Sequence, residues 1–237
     1  MARVCLDGSR SAADDAGVLM SPEDPARSAA EAVAAGAASA HVRPRTPCGR
    51  ASLSPRVVGP APEAIRARVP VPAGVTTGAR TEPGPAARLD RVRSWAVPPG
   101  FASVDRHETG AEEVAAELPA RGVGVEAGLR PGTRGAARFA ASPPGPRVLG
   151  VLAGVTDPAP ATAEASARTL PAEPGAAHGR PVLPHGEEGG TRPAVRPGPA
   201  TRAGLEDTLL PPDGRRAGSN ARPAAEAVAE RARSRRP

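Results

Sequence analysis

The segments Phe101-Ala-Ser-Val-Asp105, Ala111-Glu-Glu-Val-Ala-Ala-Glu-Leu-Pro-Ala120 and Val123-Gly-Val-Glu126 follow one another with only short gaps between them. The first and third are short, apolar or β-branched, and close on a carboxylate. The middle one places Val114 and Leu118 four apart on one helical face, and Thr109 with Glu112 has the spacing of a capping box. Strand, helix, strand at this length is the unit of a parallel sheet, because parallel neighbours need a long crossover between them.

The same alternation extends in both directions. Strands are expected at Arg3–Asp7, Ala38–Arg43, Val71–Thr77, Phe101–Asp105, Val123–Glu126, Val148–Val155, Pro181–His185 and Arg202–Glu206. Helices are expected at Pro25–Ala40, Pro55–Arg68, Pro85–Ala96, Ala111–Ala120, Gly132–Ala141, Ala161–Leu170, Thr191–Ala200 and Ala221–Arg235. Eight such units in 237 residues predict an α/β fold, a (β/α)8 TIM barrel occupying residues 1–237 as one domain, with Arg231–Arg236 as a basic tail. Pro60, Pro62, Pro119, Pro193, Pro197 and Pro199 fall inside expected helices, so the outer layer should be irregular and proline-interrupted.

Composition restricts the chemistry. All 31 basic residues are Arg, and Lys, Tyr and Gln are absent. Without a lysine amine there is no Schiff base, no pyridoxal-phosphate anchor and no Walker-type phosphate loop. An enzyme built from this chain works with a metal, carboxylates, His or Arg. The core is thin in large side chains: 51 Ala stand beside only 21 Val, 13 Leu, 2 Phe and 1 Ile, with 31 Pro and 27 Gly. That composition approaches the disordered range, but a net charge of +6 is too small to hold the chain open.

The Arg residues are scattered, and Trp95, Phe101 and Phe139 are the only aromatics, so nothing here resembles a stacking platform for nucleic acid. Gly122-Val-Gly-Val-Glu-Ala-Gly has its third Gly one residue too late for a dinucleotide loop and reads as a strand with its closing turn. Cys5 and Cys48 make no disulfide framework and no C-x-x-C pair. No apolar run is long enough to span a membrane and no secretory leader is recognisable, so the expectation is a soluble, cytoplasmic protein.

In a parallel barrel the chemistry gathers at the C-terminal strand ends. The polar residues expected there are Asp7, His41 with Arg43, Thr76 with Thr77, Asp105 with His107, Glu126, His185 with Glu187, and Glu206 with Asp207. Each could cap or tether a loop, but their recurrence at seven strand ends favours a site. Residues two apart on a strand face the same way, so His41 and Arg43 share a side. A His-x-His there would bind a divalent metal, and a carboxylate such as Glu206 would complete a three-ligand site; Arg43 cannot ligate. His107 is read as a loop histidine.

Together these segments carry a resemblance. Val4-Cys-Leu-Asp-Gly, Ser39-Ala-His-Val-Arg-Pro-Arg, Gly74-Val-Thr-Thr-Gly, Phe101-Ala-Ser-Val-Asp, Gly122-Val-Gly-Val-Glu-Ala-Gly-Leu, Pro184-His-Gly-Glu and Thr201-Arg-Ala-Gly-Leu-Glu-Asp-Thr-Leu-Leu resemble, in order, the beta-keto acid cleavage enzyme family, which includes the 3-keto-5-aminohexanoate cleavage enzyme. The resemblance implies a zinc-dependent (Zn2+) barrel that converts a β-keto acid and acetyl-CoA to acetoacetate and a CoA ester, and a homo-oligomer. It implies that His41 and Glu206 are metal ligands, that Arg202 binds the substrate carboxylate and that Asp207 is the general base. It further implies that Thr76, with its neighbour Thr77, and Ser103 bond the reacting oxygens, and that Glu126 faces the variable end of the substrate.

The sequence departs from the family pattern where Arg43 stands for the second histidine of His-x-His, at Asp105 and His107, and at Arg192. Two other outcomes therefore stay open: a catalytically impaired barrel with a binding role, and a poorly folded product of GC-rich coding sequence.

Overall fold

The structure is a computed structural model, and it describes residues 1–8, 21, 23–142, 148–155, 182–186, 201–207, 209 and 214–233. In chain order the elements are β1 (Ala2–Cys5), α1 (Glu23–Ala34), β2 (Ser39–Val42), α2 (Pro55–Val58), α3 (Pro60–Arg68), β3 (Ala73–Thr76), α4 (Pro85–Arg93), β4 (Phe101–Asp105), α5 (Ala111–Ala120), β5 (Gly124–Leu129), α6 (Gly135–Ala141), β6 (Val148–Val155), β7 (Val182–Gly186), β8 (Thr201–Ala203) and α7 (Ala221–Arg233). The strands form one parallel sheet in the order β7-β6-β5-β4-β3-β2-β1-β8. Its two ends, β7 and β8, lie against each other, so the sheet curls round as a (β/α)8 TIM barrel does.

All eight expected strands are present, with two informative differences at their ends. β5 continues to Leu129, three residues beyond Glu126, so this carboxylate sits inside the barrel wall and not at a strand tip. β8 stops at Ala203, and Glu206 and Asp207 occupy the turn that follows. On a strand, adjacent side chains point to opposite faces; off the strand, both carboxylates can reach one place.

The helix over Ala111–Ala120 is present at the expected bounds, while several others are shorter than expected. The one expected to run to Ala40 ends at Ala34, because Gly36, at a φ of 100°, turns the chain into β2. The helix expected over Pro55–Arg68 is two helices that meet at Gly59, and Pro55 and Pro60 each open one of them. Proline is tolerated in a first turn, where its missing N–H has no partner to lose. The capping box at Thr109 and Glu112 does not form. Gly110, in the left-handed region, precedes α5, while Glu112 pairs with Arg106 and accepts a 2.9 Å bond from Ser142 Oγ. The helices expected at 161–170 and 191–200, with His178, Glu187 and Arg192, lie outside the described residues, and of His185 only the backbone is described.

Alanine does most of the packing between the layers. Ala26, Ala29 and Ala32 line the buried face of α1 against Val4, Leu6, Val42 and Ile65, and Val92, Val114 and Leu118 continue the same core under α4 and α5. Each Ala buries little, at roughly 0.8 kcal/mol per methylene-sized group. Small side chains bring the helix close to the sheet, which is how so few large residues make a closed layer. Trp95 is the largest buried side chain, and its indole N–H donates to the Leu53 carbonyl at 2.9 Å. A smaller cluster of Ala127, Leu129, Ala136, Phe139, Val151 and Ala153 joins α6 to β5 and β6.

Candidate active site

Strand alternation divides β1 into a wall-facing and a barrel-facing set. Val4 joins the helix-side core, while Arg3 and Cys5 face inward. Cys5 lies beside His41 in the β1–β2 register. The β8 turn is fastened to the same point: the Glu206 N–H donates to the Cys5 carbonyl at 3.3 Å, and Gly204 lies so close that a Cβ there would overlap that carbonyl oxygen. Gly8, at a φ of 56°, makes room for the Glu206 side chain in the same way. Asn220, just before α7, accepts from the Leu205 N–H at 2.9 Å and donates to the Leu6 carbonyl and Ser28 Oγ at 2.8 and 3.0 Å. One amide thus ties the β8 turn to β1 and α1.

These anchors bring His41, Arg202, Glu206 and Asp207 together. His41 Nδ1 stands 3.5 Å from Glu206 Oε2, and its Nε2 is 3.2 Å from Ser103 Oγ. Glu206 Oε1 is held by Arg202 Nη2 at 2.8 Å, with Arg43 Nη2 at 3.7 Å. Arg202 Nε donates to Asp207 Oδ1 at 3.3 Å. Asp7 accepts the Arg43 backbone N–H at 3.2 Å and the Arg45 Nε at 3.3 Å.

Burial sets the charge states. It lowers the His41 pKa despite Glu206 beside it, so the imidazole is neutral near pH 7. Burial opposes the Glu206 carboxylate too, but Arg202, His41 and Arg43 outweigh it and hold the group well below its ordinary value. Arg202 is likewise penalised by burial, but Cys5, Glu206 and Asp207 outweigh it and raise the group well above its ordinary value. Asp7 is pushed up to about 6, because burial exceeds the pull of Arg45 and the Arg43 N–H.

Across the barrel the expected substrate contacts are already partnered. The Thr77 hydroxyl donates to the Ser103 carbonyl at 2.8 Å, and Thr76 Oγ1 accepts the Gly78 N–H at 3.1 Å. Glu126 forms a buried ion pair with Arg3, whose guanidinium lies 4.3 Å from the centroid of Phe101 and donates to Ser39 at 3.0 Å. Burial lowers the Arg3 pKa to about 10, which still leaves it charged. Arg3, Cys5 and Asn220 were not foreseen as part of the site. The alternation of β1 points Arg3 and Cys5 inward, and Asn220 is the chain's one asparagine.

Among the described residues, one group of donors could hold a metal ion. Atoms offered by Cys5, His41 and Glu206 all lie within 4.8 Å of one another, and all three residues are buried. His41 Nδ1 and Glu206 Oε2 are buried without a well-formed hydrogen bond. Their 3.5 Å spacing is close to the roughly 3.3 Å that separates two tetrahedral zinc ligands with bonds of ~2.0–2.1 Å. The residues present therefore fit a metal. His107 is outside this group.

The sequence profile of the beta-keto acid cleavage enzyme family matches residues 3–127, more than half of the chain. The chain belongs to that family. The matched stretch of this beta-keto acid cleavage family member carries Cys5, His41, Ser103 and Glu126, while Arg202, Glu206 and Asp207 lie beyond it and reach the site through the β1–β8 pairing. Among solved structures, the homocysteine methyltransferase MmuM from Escherichia coli is similar over 97% of this chain and 94% of its own, with 14% identity and a TM-score of 0.55. At that identity the likeness speaks for the fold alone. The (S)-3-O-geranylgeranylglyceryl phosphate synthase from Thermoplasma acidophilum aligns over 97% of this chain and 92% of its own, with 13% identity and a TM-score of 0.48. No curated protein matches the sequence. Among the described residues no helix is long and apolar enough to cross a membrane.

Proposed function

We propose that this family member cleaves a β-keto acid with acetyl-CoA. The carboxymethyl unit passes from the ketone carbon of the substrate to the acetyl group, giving acetoacetate, and the remaining acyl group leaves as its CoA ester. The observation that carries this reading is the buried cluster of Cys5, His41 and Glu206, whose donor atoms lie within 4.8 Å of one another, with His41 Nδ1 3.5 Å from Glu206 Oε2. His41 and Glu206 would hold zinc, which supplies a Lewis acid for a ketone oxygen whose negative charge grows as the carbon–carbon bond moves, worth several kcal/mol.

The chain's own groups do the rest. Ser103 Oγ, 3.2 Å from Nε2, would fix the ring of His41, and with the proton on Nε2 the Nδ1 lone pair would be available to an ion. Arg202 neutralises the carboxylate of the keto acid, with a planar fork suited to two-point binding. Asp207, oriented by Arg202 Nε, takes the proton as the carbon nucleophile forms. Thr76 accepts from Gly78, and its own hydroxyl proton is directed to a reacting oxygen. Thr77 positions Ser103 through the Ser103 carbonyl, and Glu126 with Arg3 closes the floor of the cavity against the variable end of the substrate. The protein acts in the cytoplasm as a homo-oligomer.

A second reading is favoured by one observation: Arg43, where the family has a ligand, directs Nη2 at Glu206 Oε1. An added positive charge there describes an impaired relative. Metal analysis and a thiol-transfer assay over a panel of β-keto acids separate the two. Bound zinc with acetoacetate formation, both lost in Glu206→Gln, is the expected result. Bound zinc without turnover on any acid assigns the impaired role.

A further inference from the structure

We propose that Cys5 supplies the third protein ligand of the metal, in place of the histidine that Arg43 displaces, so that the ion is held by Cys5 Sγ, His41 Nδ1 and Glu206 Oε2. The inference rests on the metal-dependent reading above and deepens it.

Three independent features lead to these atoms. The first is placement. Cys5 is fully buried and faces into the barrel beside His41 in the β1–β2 register, and the Glu206 backbone is fastened to the Cys5 carbonyl. Gly204, lacking a Cβ, lets the turn that carries Glu206 lie directly against the Cys5 carbonyl. The second is the division of labour within each ligand. His41 Nε2 is taken by Ser103 and Glu206 Oε1 by Arg202 and Arg43, so Nδ1 and Oε2 are the atoms left over, and they face each other.

The third is charge. Histidine is a neutral ligand, whereas Arg43 brings a positive charge to the edge of the site. A thiolate from Cys5 and the Glu206 carboxylate together carry two negative charges against a dication, so the thiolate offsets what the arginine adds. A Cys, His, carboxylate set with one open position is a catalytic zinc arrangement. Its soft sulfur also excludes magnesium and manganese, which prefer all-oxygen sites.

Cobalt(II) substitution tests the assignment directly. The full-length protein, stripped with a chelator and reloaded with cobalt, should show a near-ultraviolet thiolate-to-cobalt absorption. Cys48→Ser, which alters the exposed second cysteine, should keep that absorption, and Cys5→Ser should lose it and bind zinc at least a hundredfold more weakly. Adding Arg43→His to Cys5→Ser should restore zinc binding without restoring the absorption.

Cobalt uptake with no thiolate band, or zinc bound equally well by Cys5→Ser, overturns the assignment while leaving the proposed reaction standing. A thiolate band in a protein that cleaves no β-keto acid supports the assignment and sinks the reaction. Failure to take up zinc or cobalt overturns both. If Cys5→Ser does not fold, the spectra of the unaltered protein and Cys48→Ser decide the matter by the presence or absence of the band.

Discussion

The barrel has two polar sides that differ in kind: donor atoms that could share an ion on one, and a hydroxyl and an ion pair held by their neighbours on the other. Where β1, β2 and the β8 turn meet, His41 Nδ1 and Glu206 Oε2 are buried and 3.5 Å apart, without a well-formed hydrogen bond. Where β3, β4 and β5 meet, the Thr77 hydroxyl is spent on Ser103 and Glu126 is neutralised by Arg3. Both sides are rich in residues that look functional in the sequence. Leaving a buried polar atom unpaired costs about 1–3 kcal/mol, so a fold retains such atoms where a ligand is to satisfy them. The first side carries donor atoms that an ion could satisfy, and the second pairs its charges within the barrel.

The strongest way to break this contrast is to open the closed side. Arg3→Met leaves Glu126 charged and alone inside the barrel, and the expected loss is about 3–5 kcal/mol in a urea or thermal unfolding experiment. Adding Glu126→Leu should recover most of that loss, because removing both charges is close to neutral. A double variant no more stable than Arg3→Met would show that the pair does more than neutralise itself.

Asp7 sharpens the contrast from the other side. Its carboxyl is pushed up to about 6 in the folded, metal-free protein, from an ordinary value of 3.8. A raised carboxyl favours the proton-bound native state, so its stabilising contribution is complete below pH 3.8 and disappears as the pH rises through 6. Asp7→Asn removes that dependence. Unfolding free energies of the two proteins, measured between pH 4 and pH 7, should diverge in favour of the variant by up to about 3 kcal/mol. Parallel curves would mean that Arg45 and the Arg43 N–H compensate the burial of Asp7 completely.

The smallest effect belongs to Thr77. Replacing it with Val removes one hydrogen bond to the Ser103 carbonyl, with an expected cost of about 1 kcal/mol and a lowered Tm. Any change in turnover should come as a lower kcat, through Ser103 and His41, with KM for the keto acid unchanged. A raised KM would return Thr77 to the substrate.

Much of this architecture was legible one segment at a time. Each strand is a short β-branched or apolar run between turn residues, so all eight could be located, and α5 could be bounded from Val114 and Leu118. Other helix ends were less legible, because Gly36 ends α1 through its backbone conformation and Pro60 opens a second helix where one was expected. The candidate metal group was legible by halves. His41 and Glu206 stand out by residue type and by family likeness, but Cys5 looks like an ordinary buried cysteine until the register puts it beside His41. Glu126 looked like a strand-end carboxylate, and only the length of β5 and the approach of Arg3 give it a different setting.

The sequence by itself determined the alternation of strand and helix, the exclusion of lysine chemistry in favour of metal, carboxylate, histidine or arginine groups, and the family. Those are properties of local pattern and composition. Tertiary structure alone decided which polar groups neutralise each other and which are left over, because that depends on pairings such as Arg3 with Glu126 and Cys5 with His41, between residues distant in sequence.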